Sequence, residues 1–176
     1  MIDYPVFFDT EFTGWSDTGL ISIGFVDESG KREFYAELTD TWEIGQCSDF
    51  VRVEVLSHLQ GGEFSMSAEV CRTRLKAFIE AVDVPVQLVC DLPNYDWMLF
   101  RRLMGEEWPA NLSRHAYTFD PGAGGLPKRA GEAAGAARSR YYNGPGRPIH
   151  HALHDVAAVR AAWEAGLDCG WWPGAP

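Results

Sequence analysis

The chain reads as an α/β fold, a mixed sheet flanked by helices, and three observations predict it. Three apolar or alternating segments follow one another over short links at the start. Beyond residue 67, helical and strand patterns alternate. The 176 residues are 46% hydrophobic and 23% charged, enough apolar material for one full-sized core and too much for a disordered chain.

Each element has its own signal. YPVFFDTEF (4–12) reads as a buried strand, LISIGFVD (20–27) as a second, and ESGK (28–31) supplies turn chemistry before REFYAEL. Cys71, Leu75, Phe78, Ile79 and Val82 then recur at helical spacing, with Ser67 as N-cap and Glu69 in the first turn. VPVQLVCDL is a fourth strand, running through PNYD into a helix, WMLFRRLMG, that Gly105 stops. HAYTF (115–119) suits a short fifth strand. Residues 121–148 are rich in Gly, Pro and Ala and read as a loop with one helical turn at GEAAGAA. A final helix spans about 148–165, its apolar side offered by Leu153, Val156, Ala157 and Val159 to Trp163, and a short irregular tail closes 166–176. Trp97, Phe100, Leu103 and Trp163 belong to the core. The whole chain, 1–176, is expected to be a single domain.

Charge and cysteine usage narrow the function. The net charge of −10 argues against a protein that coats long duplexes through its surface, yet an enzyme holding a short nucleic acid through bound cations remains open. Against this background, 122–149 carries five cations (Lys128, Arg129, Arg138, Arg140, Arg147) and one acid, Glu132. That segment is either a solvated loop or a flexible basic flap facing an anion. No stretch is long and apolar enough to span a bilayer, and the N-terminus lacks the pattern of a signal peptide. The four cysteines are scattered with no CxxC pair, as expected of buried thiols in a reducing cytoplasm.

The acids carry the chemistry. Asp9 and Glu11 share one face of the first strand, where two carboxylates repel. Asp91 and Asp96 flank the end of the fourth strand and the start of its helix, and His150, His154 and Asp155 open the last one. Ligands bind at such element ends in α/β sheets. Converging carboxylates are costly without a cation, and oxygen ligands suit Mg²⁺ or Mn²⁺. Two such ions about 3.5–4 Å apart can clamp a phosphodiester during in-line displacement.

DTEFTG (9–14), NYD (94–96) and HHALHD (150–155) resemble the three motifs of the DEDDh branch of ribonuclease H-like 3′–5′ exonucleases: D-x-E, an aspartate at a helix start, and H-x4-D. Each motif alone is weak; the three in order, spanning Asp9 to Asp155, are much stronger. DTEF with the following LISIG strand is most similar to small bacterial and phage 3′–5′ exoribonucleases. The resemblance implies a ribonuclease H-like five-stranded mixed sheet, three antiparallel strands then two parallel. It implies two Mg²⁺ or Mn²⁺ ions held by Asp9, Glu11, Asp96 and Asp155, with Asp9, Glu11 and Asp155 on the first ion and Asp9 with Asp96 on the second. His150 takes the proton from the attacking water, a role suited to imidazole. Thr10, Phe12, Trp15 and Arg147 are candidate substrate contacts, an aromatic ring there stacking on the terminal base.

The expected reaction is release of nucleoside 5′-monophosphates from 3′ ends of single-stranded or overhanging RNA. DNA is the alternative substrate, since selection for a 2′-OH depends on local geometry. Two features depart from the family pattern. Asp91 is an extra acid, read here as a cap of its turn, and His151 doubles the histidine of the third motif and should point elsewhere. Family members are often dimers, and in a homodimer the basic segment of one subunit could reach the other's site. Two readings of other classes compete. A zinc hydrolase would use His150 and His154 four apart on a helix face, but it leaves Asp9, Glu11 and Asp96 unexplained. A non-catalytic nucleic-acid-binding domain has no need of five intact positions.

Overall fold

In the computed structural model, residues 3–16, 18–122 and 125–173 are described. The order is β1 (Tyr4–Phe12), β2 (Leu20–Asp27), β3 (Glu33–Leu38), α1 (Asp49–Glu54), β4 (Ser65–Met66), α2 (Ala68–Glu80), β5 (Val86–Cys90), α3 (Asp96–Met104), β6 (Tyr117–Thr118), α4 (Lys128–Tyr142) and α5 (Ala152–Asp168). The predicted α/β architecture is observed. The sheet has six strands, however, in the order β4-β3-β2-β1-β5-β6. β1, β2 and β3 form the antiparallel meander, while β5 runs parallel to β1 and β6 parallel to β5. The extra strand, β4, is two residues beside β3, too short to leave a periodic signal.

Alternation along β1 sorts the core onto two sides of the sheet. Val6 and Phe8 join Leu75, Leu88, Leu99 and Phe100 under α2 and α3. Phe7 joins Val89, Val156, Val159 and Trp163 under α4 and α5. With helices covering both faces, β1 and β5 read as continuous apolar runs. α2 begins as expected, the Ser67 hydroxyl accepting from the Val70 N–H at 3.4 Å. α3 ends at Gly105, whose φ of +54° a side chain would oppose.

The largest departure from expectation is α4. The helical turn expected at GEAAGAA lies inside a helix of fifteen residues, far longer than the loop expected over 121–148 allowed, with Ala130, Ala134 and Ala137 buried. Their spacing is that of a helix face made entirely of methyl groups. Because alanine carries little apolar area, the glycines and prolines around the stripe obscured it. The basic flap is therefore largely a helix, packed beside α5. Residues 123 and 124 of that segment lie outside the described residues.

α5 starts at Ala152 and runs to Asp168, later at both ends than expected. The tail is irregular from Cys169, but Trp171 folds back, its ring centroid 4.9 Å from that of Trp163. Residues 174–176 of the expected tail lie outside the described residues. Two close approaches place the start of α5 over the sheet. A β-carbon added to Gly24 on β2 would lie 2.6 Å from the Ala152 carbonyl, so only glycine lets the helix descend this far. Beside it on β1, the register shifts between Glu11 and Phe12, a bulge of the kind that re-aims side chains. No helix among the described residues is long and apolar enough to cross a membrane.

Candidate metal centre

The ends of β1 and β5 and the starts of α3 and α5 converge on a cleft of about 800 Å³. Asp9, Glu11, Asp91, Asp96, His150 and Asp155 all line it. Acidic groups separated by up to 146 residues of chain thus meet at one point.

Their ligand atoms fall into two sets. Oxygens of Glu11 and Asp155 and a nitrogen of His150 lie within 4.8 Å of one another, as do oxygens of Asp9, Asp91 and Asp96. Asp9 groups with Asp96, as expected for the second ion, but not with Glu11 and Asp155, which it was also expected to join, and its set includes the extra acid. Asp91 caps no turn. It accepts an ion pair from Arg138 on α4 at 3.0 Å, which brings the basic segment to the site through one residue.

Asp96 and Asp155 are each held by neighbouring groups. Thr10 grips Asp96 twice, its hydroxyl donating at 2.6 Å and its N–H at 3.2 Å to the same oxygen, Oδ1. Oδ2 of Asp96 is buried and has no hydrogen-bond partner, although the residue is only 1% exposed. A buried carboxylate oxygen left unpaired is costly, and a bound cation would satisfy it. Asp155 accepts from the Tyr142 hydroxyl at Oδ1 (2.8 Å) and from the His150 N–H at Oδ2 (3.1 Å). His150 has φ +65°, the single positive φ of a non-glycine among the described residues. The surrounding structure must hold it there, and such strain concentrates at functional positions. Its ring meets Phe50 edge to face at 4.9 Å.

The electrostatics are those of an over-acidic pocket. Burial, with repulsion from Asp155 and Asp96, pushes Glu11 up to about 9. Burial raises Asp96 to about 7 despite the Thr10 bonds that favour its ionised form. Asp9 stands well above the ordinary carboxylate range, from desolvation first and then from Asp96, Asp155 and Glu11. Burial also raises Asp155, against the pull of Tyr142 and the His150 N–H. Bound divalent cations invert this balance by stabilising the ionised carboxylates. The donor set, two groups dominated by oxygen with one orphaned oxygen, fits hard cations better than zinc.

An aromatic rim borders the cleft. Phe12 and Tyr95 stack with centroids 5.1 Å apart and planes 7° from parallel, and Trp15 stands edge-on to both. Trp15 is 66% exposed. Phe50, on α1, also lines the cleft and is exposed at 55%.

Of the residues expected from sequence, Asp9, Thr10, Glu11, Phe12, Trp15, Asp96, His150 and Asp155 line this cleft and Arg147 does not. Arg147 lies instead over the Tyr141 ring, 4.4 Å from its centroid. His151 points elsewhere, stacked on Tyr35 and bonded to Gln60 at 2.9 Å. His150 precedes α5 and His154 turns to the Tyr141 hydroxyl, so the two histidines do not share a helix face. Sequence reasoning missed Phe50 and Tyr142, and it named Arg138 only as one cation of the basic segment. Ser48 followed by Asp49 was an available signal for α1, and the alanine spacing was one for α4. No protein-family model matches this chain, and no curated protein matches it at a significant level.

Proposed function

We propose that this chain is a divalent-cation-dependent 3′–5′ exonuclease of ribonuclease H-like architecture, acting on RNA 3′ ends. The observation that carries the reading is the buried, unpartnered Asp96 Oδ2 within a cluster of five carboxylates that also holds a strained histidine. Asp9, Glu11, Asp91, Asp96 and Asp155 would hold Mg²⁺ or Mn²⁺. When bound, the cations supply Lewis acidity to the phosphodiester and to the water that attacks it.

The remaining work falls to the chain's own groups. His150, at the cleft wall, accepts the proton of the attacking water as its oxygen forms a bond to phosphorus. The 3′ oxygen of the preceding nucleotide leaves, and a nucleoside 5′-monophosphate is released. Tyr142 and the His150 N–H orient Asp155, and Thr10 orients Asp96, as outer partners of ligands do. Trp15, Phe12 and Tyr95 give the terminal base an aromatic seat that does not read its identity. Arg138 offers a cation to a phosphate oxygen beside Asp91.

The resemblance of the three motifs supports the ribonuclease H-like assignment, and the antiparallel-then-parallel sheet is compatible with it. RNA is favoured over DNA by that resemblance alone. The direct test incubates wild type and Asp9→Ala with 3′-overhang RNA and DNA, with Mg²⁺, Mn²⁺ or chelator. Mononucleotide release by wild type with metal only, and none by the variant, is the expected result. No release from any 3′ end would overturn the reading.

A further inference from the structure

A second cavity lies behind the wall of the cleft. It measures about 700 Å³ and is lined by Pro93, Asn94, Trp97, Met98 and Trp108 together with Arg101, Arg102 and Arg114. One segment separates the two spaces: Leu92 and Asp96 face the cleft, and Pro93, Asn94 and Trp97 face this groove. Tyr95, between them, belongs to the aromatic rim. The groove therefore begins where a chain leaving the rim would emerge.

Its chemistry is unlike the rest of the surface. Three arginines line it in a molecule of net charge −10, and none has an ion pair among the described residues. Of the two acids that follow α3, Glu106 and Glu107, the latter is taken by Arg72 at 3.0 Å. Arg102 donates to the Thr18 carbonyl at 2.9 Å, anchoring the groove to the loop that follows Trp15. Arg114 lies over the Trp108 ring, 4.7 Å from its centroid. Trp97 stands edge-on to Trp108 at 5.6 Å and is only partly covered. Unpaired arginines interleaved with indoles suit a ligand that alternates negative charge with flat rings, which is single-stranded nucleic acid.

We infer that this groove binds the single strand upstream of the 3′ end held in the cleft. The inference rests on the exonuclease reading for the identity of the strand, whereas the groove's own chemistry is independent of catalysis. It gives the acidic protein an electrostatic hold on long substrates that a dinucleotide cannot use.

The test uses the full chain with Arg101→Glu and Arg114→Glu together. Binding of a fluorescent single-stranded RNA of about twelve nucleotides is read by anisotropy in chelator, and hydrolysis of that RNA and of a dinucleotide is read with Mg²⁺. The double variant should bind the long strand roughly tenfold more weakly. Its slope of log affinity against log salt should flatten by about 1.4, about 0.7 for each phosphate that an arginine no longer neutralises. KM should rise for the long RNA alone, with kcat unchanged. Circular dichroism checks folding; if the double variant does not fold, the exposed Arg101→Glu alone carries the same comparison. Wild-type affinity in the folded variant overturns the groove, as does displacement of the RNA by polyglutamate as readily as by unlabelled RNA. If wild type hydrolyses neither substrate but the variant still loses binding, the exonuclease reading falls and the groove stands.

Discussion

The Tyr142 hydroxyl donates to Oδ1 of Asp155 across 2.8 Å, linking the last turn of α4 to the first turn of α5 at the floor of the acidic cleft. Asp155 also accepts from the His150 N–H at Oδ2 and shares a side-chain hydrogen bond with Glu11. The phenol thus favours the ionised carboxylate that a cation needs.

Tyr142→Phe should therefore leave the fold intact and raise the Mg²⁺ concentration for half-maximal activity by roughly ten- to a hundredfold, the usual cost of losing such a partner. A Mg²⁺ titration of mononucleotide release measures it. An unchanged titration would mean that Asp155 is oriented without α4.

How much of this was legible in sequence depends on how each element announces itself. β1 and its two acids were legible because a long apolar run ending in two carboxylates is unusual chemistry at a strand end. The motif ahead of α5 was legible for the same reason, lying in polar residues at fixed spacing, although the helix itself begins at Ala152, later than expected. α4 was not, because its buried face is Ala130, Ala134 and Ala137, and small side chains hardly differ from the surrounding loop composition. The Arg138–Asp91 pair could not be read at all, since partners 47 positions apart are chosen by helix packing and not by any local pattern.

The pH dependence of stability follows from the over-acidic pocket. Glu11 rises from an ordinary 4.5 to about 9, and Asp96 from 3.8 to about 7. Between those limits the metal-free folded protein binds more protons than the unfolded chain, so its stability falls as pH rises. Cations reverse this by favouring the ionised carboxylates. Thermal melts of metal-free protein should show Tm dropping from about pH 5 to 8, and the Tm gain from Mg²⁺ should grow over the same range. Calorimetric titration near pH 6.5 should show protons released on Mg²⁺ binding. A Tm that rises with pH in chelator would refute the protonated-pocket account.

Gly24→Ala tests the placement of α5. The added methyl would meet the Ala152 carbonyl carbon and oxygen and the Leu153 nitrogen, each at 2.6 Å, and backbone cannot swing away as a side-chain tip can. Overpacking of this kind costs about 1–3 kcal/mol. The helix must lift, carrying His150 and Asp155 from Glu11. Urea unfolding should show the stability loss, and activity should fall further than stability accounts for at a temperature where the variant is fully folded.

His150 separates chemistry from strain in a single position. Its φ of +65° costs a β-carbon-bearing residue about 1–2 kcal/mol, which glycine does not incur. His150→Ala and His150→Gly both remove the proposed base and should both abolish Mg²⁺-dependent mononucleotide release. They should differ in stability, however, because alanine keeps the strained backbone and also loses the packing of the ring on Phe50. Glycine loses that packing but relieves the strain, offset in part by the greater freedom of its unfolded chain. The glycine variant should accordingly unfold at higher urea than the alanine variant. Equal midpoints would show that the backbone relaxes once the imidazole is gone, so that the side chain itself, engaged at the cleft, holds His150 in the left-handed region.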